Sequence, residues 1–150
     1  MIAVLQRVAW AEVAVDGERV GRIELGLLVY VGIAPSDGPE EADRLAEKVA
    51  ALRVFPDAGD KMNRSVRDVG GGVLAIPNFT LMGDARKGRR PAFTGAARPE
   101  ASKPLYNRFV ESLVATGCPT ARGVFGAHML IRSEADGPVN LIVEMPHARP

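Results

Sequence analysis

The stretch GLLVYVGI, residues 26–33, constrains the fold more than any other part of the chain. It is apolar on both faces of an extended backbone and is bounded by glycine and proline, so it reads as a buried strand. The period then changes. In SDGPEEADRLAEKVAALRVF, Ala42, Leu45, Val49 and Leu52 recur at helical spacing. Pro39 and acidic residues occupy the first turn, where the helix dipole favours negative charge. A helix over 39–53 is predicted. A buried strand feeding an amphipathic helix already asks for a sheet with helices packed on it.

The remaining segments extend that reading. Residues 2–8, IAVLQRV, form a strand. Val13 and Val15 precede Asp16-Gly17, a strong hairpin signal, and Val20 and Ile23 lie on the return. Residues 56–72 read as a loop with one short strand, and 72–81, GVLAIPNFTL, as a strand with Pro77 near its end. Residues 82–100 have no period and form a long loop. A second amphipathic helix is predicted over 98–116, with Leu105, Phe109 and Leu113 on one face, Tyr106, Val110 and Val114 beside them, and Gly117 closing it. GVFGAHMLIRS and VNLIVEM supply two final strands. The expected architecture is α+β: one compact domain over 1–150, a mainly antiparallel or mixed, barrel-like sheet and two helices.

Composition excludes several classes of function. Hydrophobic residues make up 47% and charged residues 25%, and nineteen basic residues face eighteen acidic ones. Net charge therefore gives no argument for or against nucleic acid, and only local clusters can. The single cysteine, Cys118, rules out an internal disulfide. Gln6 and Arg7 interrupt the apolar start before a signal-peptide core forms, and no run approaches the ~20 residues needed to cross a bilayer. A cytoplasmic location without membrane contact is expected.

Familiar catalytic machinery is thin. His128 and His147 have no cysteine or carboxylate at ligand spacing, so neither a metal nor another cofactor is expected. No nucleophile elbow is present. His128 falls in a strand pattern and reads as a tolerated histidine or as a general base, while Cys118, just past a helix, reads as a packing residue. Three stretches stand out. Thr80, in PNFTL, sits at a strand end beside the long loop. RKGRRP places Arg86, Lys87, Arg89 and Arg90 together, as a solvated loop or as a phosphate clamp. Gly137-Pro138 introduces a strand with a pair of residues that strands ordinarily avoid.

In order and spacing these stretches resemble the D-aminoacyl-tRNA deacylase family. MIAVLQRV, RVFPDAGDKMNRSV, GRRPAF, LYNRFVE, GVFGAHM and DGPV all carry the likeness, essentially from end to end. The resemblance implies a homodimer that hydrolyses the ester between a D-amino acid and the 3′ acceptor end of tRNA. Pro77-Asn78-Phe79-Thr80-Leu81 corresponds to one pocket motif. Gly137-Pro138 corresponds to a Gly-cisPro pair inserted into the partner subunit's site, whose carbonyls exclude an L side chain, and Arg7 to the residue that steadies it. Phe125, Gly126, Ala127 and Met129 match a segment placed around the terminal adenosine.

On this reading the ester is already activated and the ribose 2′-hydroxyl assists the attacking water. The protein positions the ester and offers the N–H groups of Phe79 and Thr80 to the oxyanion. Thr80 itself reads as a positioning residue or as a nucleophile. Pro77-Asn78 stands where the family has Ser-Gln, and Asn140 where it has Thr. Pro77 is also similar to a relaxed-chirality relative that removes mischarged L-alanine from threonine tRNA; Arg7 opposes that likeness. A nucleic-acid-binding module that has lost hydrolysis is the reading from another class.

Overall fold

The structure, a computed structural model, describes residues 1–145. His147 lies outside these residues. The strands are β1 (Ile2–Val15), β2 (Glu18–Ile23), β3 (Gly26–Gly32), β4 (Phe55–Pro56), β5 (Met62–Arg64), β6 (Gly72–Pro77), β7 (Thr120–Arg122) and β8 (Leu130–Glu144), with helices α1 (Pro39–Ala51) and α2 (Pro99–Ala115). One sheet runs β2-β1-β3-β6-β7, with β8 on β1, while β4 and β5 form a small separate hairpin. The β3–β6 and β6–β7 pairs are parallel. Helix α1 lies on the crossover from β3 to β6 and α2 on that from β6 to β7, as parallel pairs require. The sheet curls until β2 meets β7: a Cβ added at Gly21 would sit 3.0 Å from the Arg122 carbonyl oxygen. The result is the expected barrel-like α+β fold.

Alternation in β3 and β6 explains their unbroken apolar sequence. Leu27, Val29, Val73 and Ala75 face the helices and join Leu45, Val49, Tyr106, Phe109 and Leu113 in the larger core. Leu28, Leu74 and Ile76 point the other way, into a barrel interior with Val8, Val13 and Ile23. Both faces are buried, so neither carries a polar stripe. In α1, Pro39 occupies the start and the Glu41 carboxylate accepts a 2.9 Å bond from the Gly38 N–H. Helix α2 ends at Gly117, whose φ of +87° suits glycine. Val114, expected beside the apolar face, is 56% exposed instead. Among the described residues, no helix is long and apolar enough to cross a membrane.

The expected strand boundaries need correction at both ends of the chain. The first strand is not 2–8 but 2–15, and the last two are one continuous strand. Residues 123–129, including His128, precede β8 instead of belonging to it. The strand expected over 72–81 stops at Pro77, and Phe79–Met82 form a 3-10 turn. The β1–β8 register explains the first discrepancy. Gln6 pairs with Asn140 and Val8 with Ala135, so residues 136–139 stand opposite Arg7 alone. A bulge of this size breaks the alternation on which strand reading depends.

The helices are also clamped to each other. The Arg108 guanidinium donates two 2.7 Å bonds to the Asp43 carboxylate, which also accepts from the Ser112 hydroxyl. Arg108, then Ser112, holds the Asp43 carboxyl down at about 2. Because the folded value lies below the usual 3.8, the clamp's stability is present above that value and lost as pH falls toward 2. The pair is half exposed, so Asp43→Asn is expected to lower unfolding free energy by less than about 1 kcal/mol. It should also flatten the acid limb of stability against pH, measured by denaturant titration between pH 2 and 6.

Candidate active site

Three parallel strands end on the same side of the molecule, and a cavity of about 420 Å³ opens there. Crevices beyond the carboxyl ends of parallel strands are the usual ligand sites of such sheets. The walls come from Val31 and Ile33 at the end of β3, from Pro77, Asn78 and Phe79 after β6, and from Phe125 and Gly126 after β7. Ala96, Ala97, Pro99 and Ser102 close it at the start of α2, and Phe93 reaches in from the long loop. The Phe79 and Phe93 rings meet edge to face at 5.2 Å, and they remain 59% and 38% exposed at the mouth. Large aromatic surface left open beside a cavity is suited to stacking on a planar group or an apolar side chain.

The turn after β6 is organised by Asn78. Its N–H bonds the Val31 carbonyl at 2.8 Å, extending the β3–β6 ladder by one residue. Its side-chain oxygen accepts 3.2 Å from the Thr80 N–H and 2.5 Å from the Thr80 hydroxyl. The Thr80 N–H, one of the two expected oxyanion donors, is thus engaged as a cap. Among the described residues the Phe79 N–H makes no hydrogen bond, so it is the donor left for a ligand. Pro77 fits the strand end. Ala75 accepts from Gly123 on the β7 side, so Pro77 faces that side too, beyond the last β6–β7 pair, Ala75 with Arg122. Its missing N–H therefore costs no ladder bond.

No Asp, Glu, His, Cys, Lys or Arg is among the residues that line the cavity. His128 is exposed and lies elsewhere, and no group of potential metal ligands occurs among the described residues. Below Phe125, the buried Tyr106 hydroxyl donates 3.0 Å to the Ala75 carbonyl, and burial drives its pKa upward, so it stays a neutral support. The chemistry open to the cavity is positioning plus hydrogen bonding, from main chain and from the Asn78 and Ser102 side chains.

The other expected site residues fall into three places. Met129 packs on the barrel interior, and Ala127 closes a turn by donating to the Val124 carbonyl. Neither lines the cavity. Arg86, Lys87, Arg89 and Arg90 lie on an exposed loop closed by the mutual bonds of Asp84 and Ala92, next to Phe93 at the cavity mouth. Arg86 pairs with Asp84 at 2.7 Å and holds its carboxyl below the usual range. Among the described residues Lys87, Arg89 and Arg90 make no ion pair.

Gly137 and Pro138 sit on the β8 bulge and do not line their own chain's cavity. The bond between them is cis. Arg7, only 11% exposed, lies beneath. It donates to the Asp136 carbonyl at 3.2 Å and the Val54 carbonyl at 2.6 Å, and pairs with the Asp136 carboxylate at 3.0 Å. Sequence reasoning missed Val31, Ile33, Phe93, Ala96, Ala97, Pro99 and Ser102. Only the first two carried a signal, as the last residues of the buried run that parallel pairing sets beside Asn78.

Comparison with known proteins follows the same outline. Residues 4–144 match the D-Tyr-tRNA(Tyr) deacylase family. A D-aminoacyl-tRNA deacylase of Syntrophobacter fumaroxidans is 54% identical over 144 residues, covering 96% of this chain and 97% of the relative. One from Deinococcus radiodurans is 50% identical, covering 97% of this chain and all of its own length. Among solved structures, a c-Myc DNA unwinding element binding protein is 38% identical with a TM-score of 0.92, covering 97% and 99% of the two chains. A probable eukaryotic D-amino acid tRNA deacylase shares the fold, at 19% identity and a TM-score of 0.83 over 96% and 98%.

Proposed function

The chain belongs to the D-Tyr-tRNA(Tyr) deacylase family, and we propose that it hydrolyses the ester linking a D-amino acid to the 3′ end of tRNA. The observation that carries this reading is the cavity itself, lined without an ionisable side chain and holding a free main-chain donor, the Phe79 N–H, on the turn after β6. Such a site is too poor in acids and bases to cleave an amide, but it suits an activated ester. Water adds to the ester carbonyl while the ribose 2′-hydroxyl relays the proton, accepting it from the water and passing its own on to the departing 3′-oxygen. The oxyanion forms against the Phe79 N–H, and the C–O bond to the 3′-oxygen then breaks, that oxygen leaving with a proton. Asn78 and Thr80 are positioning residues that fix the donor's direction. Phe125 and Gly126 receive the terminal adenosine, with Ala127 and Met129 supporting that wall from behind.

Chirality is read by main chain supplied from a second copy. Gly137-Pro138 projects from an outer strand whose neighbouring side chains include Leu141 and Ile142, the latter 69% exposed. Exposed apolar residues on a free strand edge support pairing with another copy. In that homodimer the segment of one subunit enters the cavity of the other, and its backbone meets any side chain on the L face of the substrate's α-carbon. Rejection is then a clash rather than a weaker attraction. The test is deacylation of matched D- and L-charged tRNA. The D-form should lose its amino acid while the L-form persists; comparable loss of both would sustain the relaxed-chirality relative.

A binding-only reading is favoured by the basic loop and by the name of the 38%-identical solved relative. Replacing Arg86, Lys87, Arg89 and Arg90 with Ala separates the two readings. For the enzyme, KM on charged tRNA should rise roughly tenfold with kcat retained, and the salt dependence should flatten by about 0.7–0.9 per lost phosphate contact. Tight nucleic-acid binding without any turnover of wild-type protein would support the binding module.

A further inference from the structure

We propose that Lys103, Asn107 and Arg122 form a subsite for the phosphodiester immediately upstream of the terminal adenosine; the proposal rests on the deacylase reading. A second hollow of about 280 Å³ lies beside the substrate cavity and shares Phe125 with it. Lys103 and Asn107 stand four residues apart on one face of α2, and Arg122 is the last residue of β7 across from them. No Asp or Glu lines this hollow. Among the described residues neither Lys103 nor Arg122 makes an ion pair, as is also true of Lys87, Arg89 and Arg90 on the basic loop. Two cations and an amide facing one hollow without a carboxylate leave an excess of donors, which a phosphate's oxygens satisfy.

The layout also gives the direction of the strand. The ester lies at Asn78 and Phe79, and the adenosine at Phe125 and Gly126. The chain leaving that nucleoside therefore passes the far side of Phe125 into this hollow, not back past the Phe79–Phe93 pair. The basic loop at 86–90, on the Phe93 side, is left for a different part of the acceptor arm. Val124, 42% exposed at the rim, offers apolar surface to the upstream base.

The double variant Lys103→Gln/Arg122→Gln changes two exposed side chains and no core contact. Its turnover is compared on D-aminoacyl-tRNA and on the D-aminoacyl ester of adenosine, which lacks the upstream phosphate. On charged tRNA, KM should rise about tenfold with kcat unchanged, and the slope of log(kcat/KM) against log[salt] should flatten by about 0.7, the increment for one phosphate of a single strand. On the adenosine ester, kcat/KM should stay within about twofold of wild type, and Lys103→Arg should behave as wild type on both substrates. Equal losses on both substrates, or none on either, would overturn the subsite. Inorganic phosphate inhibiting wild type and variant equally would do the same. Wild-type protein inert on both substrates would remove the deacylase reading and the subsite with it. Active wild type with an unaffected variant removes the subsite alone.

Discussion

Gly137→Ala is expected to reduce deacylation of D-aminoacyl-tRNA by about a hundredfold, the penalty for displacing a positioning group by an ångström or so. Gly137 has a φ of +135°, which L residues rarely adopt, and a Cβ there would sit 2.7 Å from the Val139 N and 2.9 Å from its Cγ2. Something must shift, and the Val139 main chain is the nearest thing to it. Arg7 limits how the segment can move, because it already bonds the Asp136 and Val54 carbonyls. The harm therefore comes from a displaced wall, because the added methyl is forced against Val139 and lies 3.4 Å from the Arg7 guanidinium. Local strain of about 1–3 kcal/mol is confined to an exposed bulge. Thermal unfolding should consequently change far less than activity, and the residual activity should show a reduced preference for D over L. A variant with wild-type rate and preference would place the discriminating surface elsewhere.

Asn78→Asp should lower kcat by about 10²–10³, the usual consequence of spoiling one oxyanion donor. Aspartate has nearly the shape of asparagine, and its carboxylate accepts the same two bonds from Thr80, so the turn keeps its form. What changes is charge: a carboxylate then lies one residue from the Phe79 N–H, where negative charge develops. KM should change little, because the ground-state ester is neutral at that point. Asn78→Ala removes the cap as well, and should cost stability in addition to rate. If Asn78→Asp turned over at the wild-type rate, the oxyanion would have to form away from this turn.

Much of this arrangement was readable in advance where the residue pattern has a single physical meaning. GLLVYVGI reads as buried because both of its faces are, and Asp16-Gly17 forms the expected turn with Asp16 at a φ of +50°. The spacing of Ala42, Leu45 and Val49 is the buried stripe of α1. The long strands were harder. In β1 the buried residues run Leu5, Val8, Ala11, a spacing of three that alternation does not produce, because the register against β8 slips between Gln6 and Trp10. In β8 the bulge at 136–139 divides one strand into two apparent ones. The cavity was the least legible part. Ile33, Phe93, Ala97 and Ser102 come from the end of β3, the long loop and the start of α2, with no shared motif. PNFTL and Gly137-Pro138 stand out as irregular stretches, but only resemblance joins them in one site, as no rule of spacing links residue 78 to residue 137.

Whether Gly137 serves its own chain's cavity or a neighbour's is settled by mixing two severely impaired subunits, one carrying Gly137→Ala and the other Asn78→Asp. If the segment crosses between subunits, the mixed dimer holds one site with an intact Asn78 turn and an intact Gly137 from its partner. Activity on D-aminoacyl-tRNA should then return to about half the wild-type level per mixed dimer, while each variant alone stays at about a hundredth of it or less. Mixed dimers as inactive as either parent would show that each subunit completes its own site, and shape-reading of the substrate across a subunit boundary would have to be abandoned.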